Sequence, residues 1–421
     1  MYGSLKNAQP AGSKVGLLEF ILLMASMMAV TAFSIDTMLP ALPAMGQELG
    51  VNDPRESSKV ISVLFLGYAL GQFFFGPISD TTGRKPMIYL GLVLFLLGSL
   101  LSYLAQDMNT MLLGRALQGV GIASPRTVST ALIRDLYTGP QMARIMSMVI
   151  TIFILVPVLA PTIGQGILMI SDWRMIFALF LLSGSALLLW FALRQPETLP
   201  LEKRHPLHFK HLLRLAWSAM RHRITLAYTL ATGLAFGSLV GYLMFAQPLL
   251  QDHFGLGKQF PLYFGFLALF VGIATLLNSR LVMRWGMQRL TQGAMVIMAS
   301  YSASTALYIY LGGVPLSLAG FMVWGVITFF CLGVLFGNFG ALALEPMGKQ
   351  AGVAASVVGA FSSLISVGLG TLVGQAYEGT ALPLVTSFAL SAISALIIVL
   401  WAEQGREHEP MEKPVEEPSV S

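Results

Sequence analysis

The chain consists largely of apolar runs of about 20 residues, separated by short polar segments. A helix needs about 20 apolar residues to cross the hydrocarbon core of a bilayer, because each residue adds only about 1.5 Å to its length. Twelve such runs occur, centred near residues 29, 67, 95, 122, 155, 183, 237, 270, 300, 328, 363 and 392. The sequence therefore predicts an all-α membrane protein with twelve transmembrane helices.

The composition agrees with this prediction. Hydrophobic residues make up 55% of the chain and charged residues only 11%, whereas soluble domains contain about 25% charged residues. Membrane-spanning strands would alternate apolar and polar residues over short segments, but these runs are continuous. The single cysteine, Cys331, lies inside a run, so we expect no intramolecular disulfide.

Most cations fall on one side of the predicted membrane. Nineteen of the 25 Lys and Arg residues share the side of Lys6 and Lys14, and cation-rich loops stay in the cytoplasm. Four cations lie on the other side, namely Arg55, Lys59, Arg174 and Lys258. We therefore expect both termini in the cytoplasm. No small-residue cleavage site follows the first run, so we expect it to be retained as a helix and not removed as a signal peptide.

The longest polar break, residues 196–223, leaves six runs on each side. It predicts a cytoplasmic linker between an N-terminal six-helix bundle at 15–195 and a C-terminal one at 224–402. Leucines and basic residues alternate in this linker at helical intervals, which favours a helix on the membrane surface, with a solvated linker as the alternative. Residues 1–14 are expected to form a cytoplasmic N-tail. Residues 403–421 are acidic and contain three prolines, which is typical of a disordered tail.

A short charged loop follows the second run of each half. Residues 76–86 read Gly-Pro-Ile-Ser-Asp-Thr-Thr-Gly-Arg-Lys-Pro, and residues 278–289 read Asn-Ser-Arg-Leu-Val-Met-Arg-Trp-Gly-Met-Gln-Arg. Gly83 and Gly286 occupy equivalent places, and both loops fall on the cytoplasmic side, as a parallel repeat requires. The agreement in position, side and order predicts two pseudo-symmetric halves.

This arrangement, with the pattern Gly-Pro-x-Ser-Asp-x-x-Gly-Arg-Lys-Pro after the second run, resembles the major facilitator superfamily of transporters. Four further segments resemble its bicyclomycin-resistance (Bcr/CflA) branch of drug/proton antiporters. They are Ser-Ile-Asp-Thr-Met-Leu-Pro-Ala-Leu-Pro at 34–43, Arg-Ala-Leu-Gln-Gly at 115–119, Arg-Asp-Leu-Tyr at 134–137 and Asn-Ser-Arg at 278–280. The resemblance implies an exporter of the bacterial inner membrane that exchanges protons for drugs or other small molecules.

Asp36 is the acid that lies well inside a run. A carboxylate in hydrocarbon is costly unless it is paired or protonated, so a group that changes protonation as a cavity opens to either side suits proton coupling. The alternative is a structural tie before the kinks at Pro40 and Pro43. The resemblance implies that Arg115 in the fourth run also takes part in proton coupling, and we expect it near Asp36. A buried ion pair that serves only packing is the alternative for Arg115.

Arg115 and Arg126 share one face of the fourth predicted helix, about 16 Å apart. Two cations on one face indicate a water-filled interior. With Asp36 they give this interior a formal charge of +1, which disfavours purely cationic substrates and favours neutral, zwitterionic or anionic ones. An internal tie to a helix end or carbonyl is the alternative for Arg126. Aromatic residues adapt to varied apolar ligands, so the candidate substrate-cavity residues are Phe33, Tyr68, Arg126, Tyr242 and Phe245.

The loop at 76–86 is a candidate conformational latch. Gly76 and Gly83 permit close approach and a tight turn, Asp80 is placed to face the positive end of a neighbouring helix, and Arg84 is placed to reach Asp135. The resemblance implies that such contacts hold the two halves in one state until substrate or proton binding breaks them. A loop that only sets topology would not explain Asp80 or the glycines.

The fifth run contains Pro157, Pro161 and Gly164, in a pattern that resembles the antiporter signature shaping the contact with the other half. Ala160 and Gln165 stand where that signature has glycines. This departure leaves a proton-coupled nutrient symporter open, and simple helix bending is the structural alternative.

Sequence patterns for other chemistry are absent. The chain has no phosphate-binding loop, zinc-ligand cluster or nucleophile elbow, so we expect no enzyme activity, no cofactor and no metal, with a proton gradient as the energy source. No basic and aromatic patch indicates nucleic acid. One chain holds both halves, so we expect a monomer. A dedicated metabolite or siderophore exporter remains an alternative to a drug exporter, and a non-transporting sensor would be expected to add a soluble output domain.

Overall fold

The computed structural model describes residues 16–51, 53–204, 209–313 and 315–404. Twelve long helices and no strand occur in these ranges. The helices are α1 (Leu17–Asp36), α2 (Lys59–Thr82), α3 (Arg84–Tyr103), α4 (Met108–Leu136), α5 (Gly139–Ile170), α6 (Arg174–Arg194), α7 (Arg223–Ala246), α8 (Phe260–Trp285), α9 (Met287–Gly312), α10 (Leu318–Leu344), α11 (Ala351–Gln375) and α12 (Leu382–Gln404). The predicted all-α fold is confirmed.

Eleven of the described helical stretches are long and apolar enough to cross a membrane. The exception is α4, which is 29 residues long and carries Arg115, Arg126, Arg134 and Asp135. It packs between α2 and α3 and also contacts α1, so much of its surface meets protein and not lipid. Neighbouring helices, and not its own apolar surface, thus stabilise α4.

The helices form two bundles of six. In the first, α4 packs on α2 and α3, α1 on α5, and α3 on α6; in the second, α7 packs on α10, α11 and α12, and α9 on α10 and α12. Contact between the bundles runs mainly along α2 with α11 and α5 with α8. We call these two pairs, α2 with α11 and α5 with α8, the seams between the halves.

Small residues bring the helices together at both seams. Gly76 of α2 faces the hydroxyl of Ser356 on α11, and Gly272 of α8 faces the side chain of Ile154 on α5; a Cβ on either glycine would overlap its neighbour. Close packing through glycine favours helix contact in a membrane, where no hydrophobic effect drives helices together.

The two charged loops have the same backbone conformation. Gly83 ends α2 with φ 104° and ψ 162°, and Gly286 ends α8 with φ 77° and ψ 157°. The N–H of each glycine donates to the carbonyl four residues earlier, of Ser79 and Val282 respectively. Since glycine populates positive φ without steric cost, the shared geometry supports the repeat inferred from the sequence.

The linker contains a helix, Phe209–Arg221, that packs on α7 and α11. The side chains of residues 209–213 and 215 lie outside the described residues, as do residues 1–15 and 405–421, on which the predicted N-tail and most of the predicted C-terminal tail fall. Shorter helices are Leu39–Ala41, Leu42–Glu48, Pro54–Ser57 and the π-helical Gln247–His253.

Candidate functional site

Asp36 occupies the last position of α1 and is 5% exposed. The chain then turns through Leu39–Ala41, where Pro40 cannot donate a backbone hydrogen bond. Gly164 of α5 packs directly on the carbonyl of Thr37, so closely that a Cβ there would collide with it. The site therefore places a buried carboxyl group at a helix break that the neighbouring helix holds in position.

Among the described residues, no cation lies within ion-pair distance of Asp36. Arg115 is fully buried, and its Nη1 and Nη2 each donate to the carbonyl of Ser34 at 3.1 Å. Arg115 thus binds the backbone of α1 two residues before Asp36 instead of its carboxylate. Arg115 forms no ion pair among the described residues, contrary to the alternative of a buried ion pair that serves only packing.

Gln118 completes the setting of Arg115, and sequence analysis missed it. Its Oε1 accepts from Nη1 of Arg115 at 2.7 Å, and its Nε2 donates to Oγ of Ser99 at 2.7 Å. The i, i+3 spacing of Arg115 and Gln118 places them on one helix face, which is the signal that could have identified the pair.

A cavity of about 200 Å³ opens between α2, α4 and α11 near the loop at 76–86. Its wall includes three arginines and one acid, Asp80. The lining residues are Gln72, Gly76, Asp80, Arg84, Arg126, Thr127, Thr130, Ala131, Arg134, Ala355, Ser356 and Gly359. We call it the inner cavity, because the loop at 76–86 lies on the side expected to be cytoplasmic.

Arg126 presents a positive charge to the inner cavity. Its guanidinium carbon lies 4.9 Å from the ring centre of Phe153 and beside the hydroxyl of Tyr68. No acid among the described residues pairs with it. The structure thus brings two predicted cavity residues, Arg126 and Tyr68, together.

Phe33 and Phe245 do not line the inner cavity. The ring of Phe33 packs edge-on against Phe180 of α6 at 5.5 Å, and that of Phe245 packs edge-on against Tyr377 at 4.9 Å. The first contact lies within the first bundle, and the second lies within the second bundle. In this structure each of the two rings packs within its own bundle, and the assignment of Phe33 and Phe245 to the substrate cavity stays a prediction.

Tyr242 also lies outside the inner cavity. The centre of its ring lies 5.6 Å from that of Phe264 and 4.7 Å from that of Phe329, and its role as a substrate-cavity residue stays a prediction. Its hydroxyl is buried and has no hydrogen-bond partner among the described residues, and it lies within electrostatic range of Asp36. Tyr242 therefore belongs to the surroundings of Asp36.

Arg84 is almost fully buried at the loop, with 3% exposure. Its Nη1 donates to Asp80 at 2.5 Å and to Ser79 Oγ at 2.7 Å, and its Nε donates to Asp135 at 2.8 Å. These contacts join α2, α3 and α4, all of the first bundle. Asp80 pairs with Arg84 and also lines the inner cavity with Ala355 and Ser356 near the start of α11, where Gly76 contacts the other half. That this loop latches the two halves together stays a prediction.

Glu197 of the linker is the acid that sequence analysis missed. Its carboxylate accepts the backbone N–H groups of Arg84 at 3.0 Å and Lys85 at 2.9 Å, which caps the start of α3, and those of Thr198 and Leu199. Burial alone would raise the pKa of Glu197, but these four donors hold it below its ordinary value. The cap joins residues 113 apart, a separation at which local sequence carries no signal.

We expect Glu197→Gln to destabilise the protein at neutral pH by about 1 kcal/mol, or roughly 2 °C in Tm, because hydrogen bonds to a charged acceptor are lost. The pKa of Glu197 is lower in the folded state than in the unfolded state. Its contribution to the free energy of unfolding is therefore fully present above the ordinary Glu value of 4.5 and is lost as the pH falls below that value. Thermal unfolding in detergent should therefore show a wild-type advantage at pH 7 that shrinks on acidification. The exposed linker acid Glu202 is the control, and an equal effect of Glu202→Gln would contradict the assignment.

The fifth helix divides its contacts between the two halves. Gly164 faces α1 of its own bundle, whereas Ile154 and Val158 face Gly272 and Gly265 of α8. The expected contact with the other half therefore exists, but the residues before Pro161 make it and Gly164 does not.

The sequence matches the model of the Major Facilitator Superfamily over residues 23–371. The bicyclomycin resistance protein homolog of Haemophilus influenzae is 28% identical, covering 90% of this chain and 94% of that protein. Multidrug resistance protein MdtL of Klebsiella pneumoniae is 26% identical, covering 90% and 95%. In structure, the chain is similar to the xylose transporter XylE from E. coli in a partially occluded inward-open conformation, with a TM-score of 0.68 at 13% identity, covering 91% and 97%.

Proposed function

The chain belongs to the Major Facilitator Superfamily and is a multi-pass membrane transporter of small molecules, and on that premise we propose that it exports drugs or other small xenobiotics in exchange for protons. The observation that carries the proposal is Asp36, a buried carboxyl group with no described ion-pair partner. A lone carboxyl in a membrane is costly to keep charged. Such a group gains or loses its proton when water reaches it, which links protonation to alternating access.

Arg115 supports this role by fixing the backbone of α1. Its guanidinium holds the carbonyl of Ser34 at 3.1 Å, and its charge keeps the helix break around Asp36 polar. Exchange follows if protonation of Asp36 and binding of substrate favour opposite openings of the transporter. The relatives named for bicyclomycin and multidrug resistance favour drugs as the cargo.

The charge of the inner cavity favours neutral, zwitterionic or anionic substrates. Arg84 pairs with two acids, Asp80 and Asp135, so these three groups together carry a formal charge of −1. Arg126 and Arg134 also face the cavity, which brings the formal charge around it to +1. A positive cavity repels purely cationic compounds. The cation distribution along the chain favours the bacterial inner membrane with both termini in the cytoplasm.

The test uses a bacterial strain that lacks its major drug pumps. Expression should raise resistance to at least one of chloramphenicol, which is neutral, and nalidixate, which is anionic. In inverted vesicles, a proton gradient should drive uptake of the same compound, and a protonophore should stop it. Uptake into intact cells driven by the gradient would instead identify a nutrient symporter, and no resistance with export of an acidic metabolite would identify a dedicated metabolite exporter.

We expect Arg126→Ala to shift the preference from nalidixate towards the cation ethidium. Loss of a charged hydrogen-bond donor, worth about 1.5–3 kcal/mol, should weaken nalidixate binding by about tenfold or more. Ratios of nalidixate to ethidium transport in vesicles measure the shift. Arg284, exposed at the end of α8, provides the control, and a similar shift with Arg284→Ala would show that overall charge, not the cavity, sets the preference.

A further inference from the structure

Gln72 lies just past the midpoint of α2, on its inner side, and joins the two halves there. Its Oε1 accepts from the hydroxyl of Ser363 on α11 at 2.9 Å, and its Nε2 donates to the hydroxyl of Tyr68 at 2.7 Å. Gly359 of α11 packs against the same amide. One side chain thus contacts both a residue of the other half and a residue beside Arg126.

A different hydrogen bond joins the halves at the outer end of α2. There the hydroxyl of Ser62 donates to Sδ of Met244 on α7 at 3.2 Å. Ser62 and Gln72 are separated by about 15 Å along the helix. If the halves rock about the outer contact at Ser62, opening the inner end breaks the Gln72–Ser363 bond while the Ser62–Met244 bond is kept. The Gln72–Ser363 bond therefore favours closure of the inner end.

The amide of Gln72 has one acceptor and one donor group, and its partners fix which way it points. Tyr68 accepts from the nitrogen, which turns the oxygen towards Ser363. The guanidinium of Arg126 lies beside the same Tyr68 hydroxyl, and because guanidinium groups only donate, Arg126 competes with Gln72 for that oxygen. What Arg126 binds therefore affects how firmly Gln72 is oriented.

We propose that Gln72 is the positioning residue that couples occupancy of the inner cavity to closure of the inner end between the halves. An acidic group in the cavity draws Arg126 away from Tyr68. The hydroxyl of Tyr68 then accepts a hydrogen bond from Gln72 alone, and the amide oriented in this way holds the hydroxyl of Ser363. The inner end closes behind the bound molecule. The proposal rests on the proposed function only for the nature of the occupant, an anionic small molecule.

The test measures the distance between spin labels at the inner end. Thr82→Cys at the end of α2 and Met283→Cys at the end of α8 carry the labels, in a Cys331→Ala background. Without ligand, Gln72→Leu and Ser363→Ala should each lower the ratio of closed to open protein by about threefold to tenfold, the effect of one lost hydrogen bond. Nalidixate should raise the closed fraction of the parent protein, and Tyr68→Phe should abolish that rise.

The control is Ser300→Ala, since Ser300 is exposed on α9 and its hydroxyl donates within its own helix to Val296. Unchanged distances in Gln72→Leu and Ser363→Ala, or equal shifts in Ser300→Ala, would overturn the proposal. So would a nalidixate response that survives in Tyr68→Phe. The spin-label distances without ligand do not depend on transport. If proton-driven export fails, the result for Gln72 and Ser363 is therefore still valid, and the two proposals can fail separately.

Discussion

Asp36→Asn should reduce proton-driven transport to the background of vesicles without the protein. Asn has the shape of a protonated Asp but cannot release a proton, and the site is buried at 5% exposure. The variant should therefore still bind substrate and cycle between its two openings. Exchange of labelled for unlabelled substrate, which needs no net proton movement, should persist.

Two measurements separate these steps in the same vesicles. Uptake driven by an imposed pH gradient reports proton coupling, and substrate exchange at equal pH reports binding and rocking. Asp172→Asn serves as the control, because Asp172 is an exposed acid in the loop before α6 and should leave both measurements unchanged. Undiminished proton dependence in Asp36→Asn would assign coupling to another group.

Arg84→Met should unfold the inner end of the first bundle. Removing the guanidinium leaves Asp80 and Asp135 without their cation in a partly buried site. Breaking a buried ion pair on one side costs about 3–5 kcal/mol, and the lower end of that range applies here because Asp80 is partly exposed. Thermal unfolding in detergent should show a large drop in Tm, and transport should be lost.

A rescue experiment shows whether the uncompensated charge causes the loss. Combining Arg84→Met with Asp80→Asn and Asp135→Asn removes all three charges and should recover most of the stability. Lys85→Met is the control, since the ammonium of Lys85 donates to the carbonyl of Ala192 and lies 5.7 Å from the ring centre of Tyr89, with no acid paired to it among the described residues. An equal drop for Lys85→Met, or no recovery in the triple variant, would rule out the ion-pair explanation.

The helical architecture could be predicted from the sequence because the bilayer imposes a length and an apolar composition on each span. The repeat of Gly83 at Gly286 was also readable, since positive φ demands the same residue type in both loops. Arg84 and Asp135 were predictable partners, because an unpaired charge is costly in an apolar chain and few other opposite charges are available to pair with it.

The contacts made by neutral polar residues could not be predicted. Gln72 and Ser363 lie 291 residues apart, and amides and hydroxyls are too common for their types to indicate a pairing. Aromatic residues that line a cavity are hard to predict for another reason. A Phe inside a span gains as much from packing on another ring as from lining a cavity, so residue type alone did not place Phe33 or Phe245.

The cap that Glu197 places on α3 changes how the connection between the halves works mechanically. Residues 197–199 are bonded to the first bundle, and Thr198 also donates to Asp135. They travel with that bundle as one body when the halves rock. The tether that takes up the motion therefore starts only after Leu199, so it is shorter than the polar break in the sequence, and its anchored end limits how far the inner ends can separate.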